Sequence, residues 1–178
     1  MLLGFQPLLL GGRGNVFCAY AAVTAPGLYS TAAGTGGPLL YNGTASGHGG
    51  VTAYIMALGY GLSVAAAAAG AIGLTGGPTT APTSTTPITT VGNLQLNGPA
   101  SLCTAYSIGT PSAPGTFFMP TGQTGTGGVT VDTADDNFIH LGGVIAVPPG
   151  YFCSVAASAV LTSAVMQVSL IWLELPND

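Results

Sequence analysis

From Gly14 to Val131 the sequence contains no Asp, Glu, Lys or Arg. A surface helix needs a polar, usually charged stripe opposite its apolar one. A run of this length without a charge is therefore poor material for surface helices. Strands can bury alternate residues and turn Ser, Thr and Gly outward, so they suit it better. The full chain of 178 residues carries one basic residue, Arg13, and five acidic ones, Asp132, Asp135, Asp136, Glu174 and Asp178. Charged residues make up 3 % of the chain, against about 25 % in an ordinary soluble domain. Clustered Lys and Arg are what a nucleic-acid binder uses to displace counterions, and a phosphate-binding P-loop needs its lysine, so both classes are excluded. Disorder goes with low hydrophobicity and high charge, whereas 48 % of this chain is apolar. A surface this short of charge has little electrostatic protection against association, which points to life inside an assembly.

Apolar runs of strand length alternate with turn clusters. The expected strands are Val16–Val23, Leu39–Tyr41, Val51–Leu58, Leu62–Ala69, Asn93–Leu96, Leu102–Ile108, Thr116–Met119, Val129–Val131, Phe138–Leu141, Val144–Val147, Tyr151–Val160 and Ala164–Leu175. Between them lie Gly34–Pro38, Ser46–Gly50, Thr75–Pro78, Thr110–Gly115 and Thr121–Gly128, rich in the residues that favour turns. Thr79–Thr90, made of Thr and Pro with little else, reads as an extended exposed loop. Two alanine-rich stretches, Val64–Ile72 and Val155–Val165, invite a helix, but Gly, Ser, Thr and Val interleave in both and neither has a cap or a charged outer face. Many short strands at regular spacing indicate an antiparallel sandwich or barrel. The final strand should turn Met166, Val168, Leu170, Trp172 and Glu174 to one side and Gln167, Ser169, Ile171, Leu173 and Leu175 to the other. Trp172 then sits in a core or a subunit interface.

The search for chemistry returns little. Asp132-Thr-Ala-Asp-Asp-Asn137 lacks the spacing and the terminal Glu of a calcium loop, and reads as a solvated turn. His140 reads as a strand residue and His48 as a loop residue. No G-x-S-x-G elbow accompanies them, so a nucleophile triad is not supported. The glycine clusters give no G-x-G-x-x-G fingerprint and read as tight turns. Cys18, Cys103 and Cys153 are widely spaced without CxxC or Cys/His grouping, which makes a metal site improbable and three free buried thiols the simplest reading. No catalytic residue, cofactor or metal is expected. Met1–Leu10 is apolar but lacks the basic segment that opens a secretory signal. Val51–Leu74 is long enough to span a bilayer, but Gly59, Gly61, Gly70 and Gly73 interrupt it and no Lys or Arg flanks it, so strands are preferred and no membrane partner is expected.

Three stretches carry a family resemblance: Gly37-Pro-Leu-Leu-Tyr-Asn42; Leu58–Ala65 continuing to Ala71–Gly77; and Val144–Gly150 with the closing Ser169–Pro176. Together they resemble the small structural proteins that decorate, or cement, the icosahedral heads of tailed bacteriophages. The resemblance implies an all-β jelly-roll sandwich of the TNF-like kind, a homotrimer, and a place on the outer surface of the capsid against the major capsid protein. It implies no catalytic residues, and it suggests that an N-terminal arm ties the trimer to the shell. On this reading residues 1–30 hold the arm and first strand and residues 31–178 the sandwich domain. The candidate contact residues are Leu2, Leu3, Phe5, Leu8, Leu9 and Leu10 in the arm, with Leu170 and Trp172 in the last strand. The main alternative is a receptor- or glycan-binding head of a viral spike or fibre, which exposed aromatics such as Tyr29 or Tyr60 would favour.

Overall fold

A computed structural model describes residues 15–24, 39–64, 70–95, 97–124, 137–159 and 165–177. Its regular elements are all strands: β1 (Val16–Thr24), β2 (Leu39–Asn42), β3 (Val51–Val64), β4 (Gly70–Pro78), β5 (Thr83–Pro87), β6 (Gly92–Asn93), β7 (Thr104–Thr110), β8 (Thr116–Thr124), β9 (Asn137–Val147), β10 (Tyr151–Ala157) and β11 (Val165–Pro176). They form two antiparallel sheets packed as a sandwich. The first has the order β6-β1-β11-β3-β9 and the second β5-β7-β2-β10-β4-β8. Successive strands β1 to β4 alternate between the sheets, as do β8 to β11. The segment β5–β7 is inserted between β4 and β8, which pair with each other. It extends both sheets at one side, β6 on β1 and β7 on β2.

The alternation expected of the last strand holds. Met166, Val168, Leu170 and Trp172 point into the core with Phe17, Ile55, Leu58, Leu74 and Val155, while Gln167 and Leu175 are exposed on the other side. The core is mostly aliphatic around the Trp172 indole, which lies 6.0 Å from the Phe17 ring, centroid to centroid.

Several expected boundaries move. Val51–Leu58 and Leu62–Ala69 were expected as two strands, but β3 runs without a break from Val51 to Val64. Gly59 and Gly61 do not end it, because β11 pairs with both. Phe138–Leu141 and Val144–Val147 likewise belong to one strand, β9. Pairing with β3 stops at His140↔Ala57 and resumes at Ile145↔Ile55, so residues 141–144 bulge opposite Met56. That bulge needs glycine, since Gly142 and Gly143 have φ of 61° and 80°. Thr75–Pro78, expected as a turn, is the end of β4, paired with β10. The Thr79–Thr90 stretch contains the edge strand β5, where proline is tolerated because one side of the ladder is open. In the two helix-tempting stretches Val64, Gly70–Ile72, Val155–Ala157 and Val165 are strand and residues 158–159 a bend. Val129–Val131, the arm residues 1–14 and Asp132–Asp136 lie outside the described residues.

Two polar side chains buried at strand ends lock the layers together. Asn42 is fully buried at the end of β2. Its Nδ2 donates to the carbonyls of Val51 (2.7 Å) and Val147 (2.8 Å), which belong to the opposite sheet. Its Oδ1 accepts from the Thr44 amide and hydroxyl. Glu174, 5 % exposed, accepts from the Trp172 indole (2.9 Å), the Leu102 and Cys103 amides (2.9 and 3.3 Å) and the Ser101 hydroxyl. A buried carboxylate is tolerated when donors surround it in this way. The bonds fasten the loop entering β7 to the end of β11. Among the described residues no buried polar side-chain atom lacks a partner.

Candidate functional site

Register on the first sheet builds a row of four residues across four strands. Tyr20 on β1 pairs with Ser169 on β11, Ser169 with Gly59 on β3, and Gly59 with Phe138 on β9. Strand alternation turns this row outward, because the neighbours Ala19, Leu58, Val168 and Leu170 are core. Tyr20 and Phe138, both 55 % exposed, stand at its two ends. Three strand spacings separate them, roughly 14 Å between their backbones. The floor is low because Gly59 has no side chain and Ser169 a small one. Gly61 and Gln167, paired with each other, continue the floor one row along. The result is an open groove of about 220 Å³ bounded by Tyr20 and Phe138. The Phe138 ring leans over Gly59, close enough that a Cβ there would meet its Cδ2 at 3.1 Å. His140 braces that ring edge-on at 4.9 Å. Among the described residues neither the Gln167 amide nor the Ser169 hydroxyl is hydrogen-bonded, so both remain open to a ligand.

The wider surface is equally uncharged. Among the described residues Glu174 is the one Asp, Glu, Lys or Arg, and it is buried. Large apolar side chains stand exposed instead, with Val144 81 %, Leu102 57 % and Leu94 50 % accessible.

Of the contact residues expected from sequence, Leu170 and Trp172 lie inside the chain's own core, 3 % and 0 % exposed. Of the two locations expected for the Trp172 ring, the one it occupies is the core, where Glu174 satisfies its N–H. Leu2, Leu3, Phe5, Leu8, Leu9 and Leu10 lie outside the described residues, as does Tyr29. Tyr60 is not an exposed loop aromatic. It is a strand residue, 7 % exposed, and the exposed aromatic rings among the described residues are Tyr20, Phe118, Phe138 and Tyr151, of which Tyr20 and Phe138 are the most open. His48 is exposed in the β2–β3 loop and His140 exposed on β9.

All three cysteines are free. Cys103 and Cys153 are buried and Cys18 half-buried. Burial, and then the charge of Glu174 and a hydrogen bond to it, push the Cys103 thiol well above its ordinary value. Burial alone pushes Cys153 up to about 12. Neither is poised as a nucleophile, which requires the thiolate. Among the described residues no three His, Cys, Asp or Glu side chains group to hold a metal ion. No helix there is long and apolar enough to cross a membrane.

Comparison with known protein families, with curated proteins and with solved structures finds no match for this chain.

The sequence signal for the groove was incomplete. Alternation along β11 places Gln167 and Ser169 outward, but which strands flank β11 is a long-range fact that one strand does not carry.

Proposed function

We propose that this protein is a structural subunit of a virion: a trimeric jelly-roll of the TNF-like kind that decorates and stabilises the outer surface of a phage capsid, bound to itself and to the major capsid protein, without enzymatic activity. The observation that carries this reading is the described surface, which has no exposed Asp, Glu, Lys or Arg while Val144, Leu102, Tyr20 and Phe138 are each more than half accessible. Tyr20 and Phe138 border one groove, and exposed apolar area gathered in this way marks an interaction surface. Contacts of that kind depend little on salt, because screening acts on charges.

Strand order adds support. Without the inserted β5–β7, the sheets read β1-β11-β3-β9 and β2-β10-β4-β8. Eight strands in two four-stranded sheets, with first and last adjacent in one of them, is the order in which a jelly-roll's two Greek keys interleave.

The experiment is twofold. Mass photometry of the purified chain should give a particle of three subunits at sub-micromolar concentration, and a stable monomer would overturn the trimer. Electron microscopy of intact particles should find the chain at regular positions over the shell in many copies. A few copies at a tail tip would overturn the decorating role.

A further inference from the structure

We propose that the groove between Tyr20 and Phe138 is a binding site for a neutral saccharide. A pyranose ring has one face of C–H groups and a rim of hydroxyls. Its C–H face packs on the negative face of an aromatic ring, and its hydroxyls need donors and acceptors beside that ring. The groove offers both. Tyr20 and Phe138 stand as two half-exposed platforms on either side of a glycine and serine floor, and the Gln167 amide and Ser169 hydroxyl lie between them with no hydrogen-bond partner among the described residues.

Two further features favour a sugar over other occupants. Phe138 leans on the bare backbone of Gly59, and its ring touches His140 edge-on, so that less ordering is required on binding. The volume of about 220 Å³ is small and open to solvent. That suits one or two sugar units of a longer chain better than an enclosed drug-like ligand, whose pockets start near about 300 Å³. Charge decides the class of sugar. Among the described residues no Lys or Arg lines the groove to meet a sialic acid carboxylate or a sulfate, so the complementary ligand is uncharged. The site is independent of whether the chain decorates a shell, since it rests on the outer face of one sheet alone.

The test is a titration of the whole chain, followed by saturation-transfer NMR. The probes are maltotriose, cellotriose and chitotriose, with sialyllactose as the charged control. At least one neutral trisaccharide should bind saturably. Phe138→Ala and Tyr20→Ala should each weaken it about tenfold or more, as for an aromatic anchor. Gln167→Ala should weaken it by a smaller factor, and Val144→Ala, on the same sheet away from the groove, should leave it unchanged. Thermal melts of these exposed-site variants should match the parent and show that each is folded. Three results would overturn the proposal. The first is no saturable binding of any neutral probe at about 20 mM, far weaker than a 1 mM site. The second is sialyllactose binding as well as the neutral sugars. The third is a Phe138→Ala protein whose particle mass falls while sugar binding never appears, since the groove would then be a contact between copies.

Discussion

The two outer faces of the sandwich carry comparable rows of side chains with opposite outcomes. On the first sheet the row Tyr20–Ser169–Gly59–Phe138 has aromatic ends and an open middle. On the second sheet the row Tyr106–Leu39–Ser154–Thr75–Phe117 also has aromatic ends, yet Leu39, Ser154 and Thr75 are buried. The second face is closed by its own rings. Phe117 lies over Gly73, and Phe152, 3 % exposed, reaches across Thr75 to Gly115. Aromatic-next-to-glycine therefore has two meanings in one molecule. On the second sheet the glycine is a seat that a ring fills. On the first the ring that leans over the glycine is itself exposed, and the row beside it stays open.

That distinction is measurable, beginning with the rings. Phe152→Ala should cost about 3–5 kcal/mol in a urea melt, the usual toll for emptying a buried aromatic site. Phe138→Ala, in the open row, should stay within about 0.5 kcal/mol of the parent. Equal losses would erase the difference between the faces. The seats come next. A Cβ at Gly73 would lie 2.3 Å from the Met119 carbonyl oxygen and 2.7 Å from Phe117. Gly73→Ala should therefore destabilise by about 1–3 kcal/mol through overpacking against backbone. At Gly59 the nearest atom, 3.1 Å away, belongs to the exposed Phe138 ring, which need tilt only slightly to make room, so Gly59→Ala should change the stability by less than about 0.5 kcal/mol.

Smaller effects come from the thiols. Cys153 has its folded value pushed up to about 12 by burial, above the 9.0 of an exposed thiol. The unfolded chain thus releases this proton near pH 9 while the folded chain keeps it, and stability should be complete below about pH 9 and decline towards about pH 12. Cys153→Ala should flatten that alkaline decline in melts from pH 8 to 11. An unchanged slope would show the site to be more open than its burial indicates. Mild alkylation at pH 8 should mark Cys18, half-buried on the outer side of β1, before Cys103 or Cys153, with all three reacting in urea. Modification of Cys153 first would reverse the assignment.

Much of the fold was legible because its signals are local. Alternation in Val165–Leu175 separated the two faces of β11, without saying whether the Trp172 face met a core or a neighbouring copy, and turn residues marked most strand ends. The reading failed where glycine carries two possible messages. Gly59 and Gly61 look like breaks in β3, and Gly142-Gly143 like a turn in β9, but in each case the neighbouring strands continue the pairing and override the local preference. Thr75–Pro78 misled for the same reason. The groove was less legible than the fold. Its four row members lie at positions 20, 59, 138 and 169, and only the register of three strand pairs brings them into line. The polar pins Asn42 and Glu174 were equally hidden, since a lone Asn or Glu at a strand end looks solvated until its distant partners are known.

The position of the last two strands has a consequence for synthesis. β10 lies between β2 and β4, and β11 between β1 and β3, so each sheet is divided until its central strand arrives. While residues up to Gly150 emerge from the ribosome, β1 and β3 each present an edge awaiting β11, and none of the charges that normally discourage edge pairing lies on them. Folding must therefore wait for Tyr151–Pro176, and the nascent chain passes through a stage open to pairing with its neighbours. A ribosome stalled near residue 150 should hold a protease-sensitive, aggregation-prone chain. Releasing the next 26 residues should convert it to the resistant state in one cooperative step.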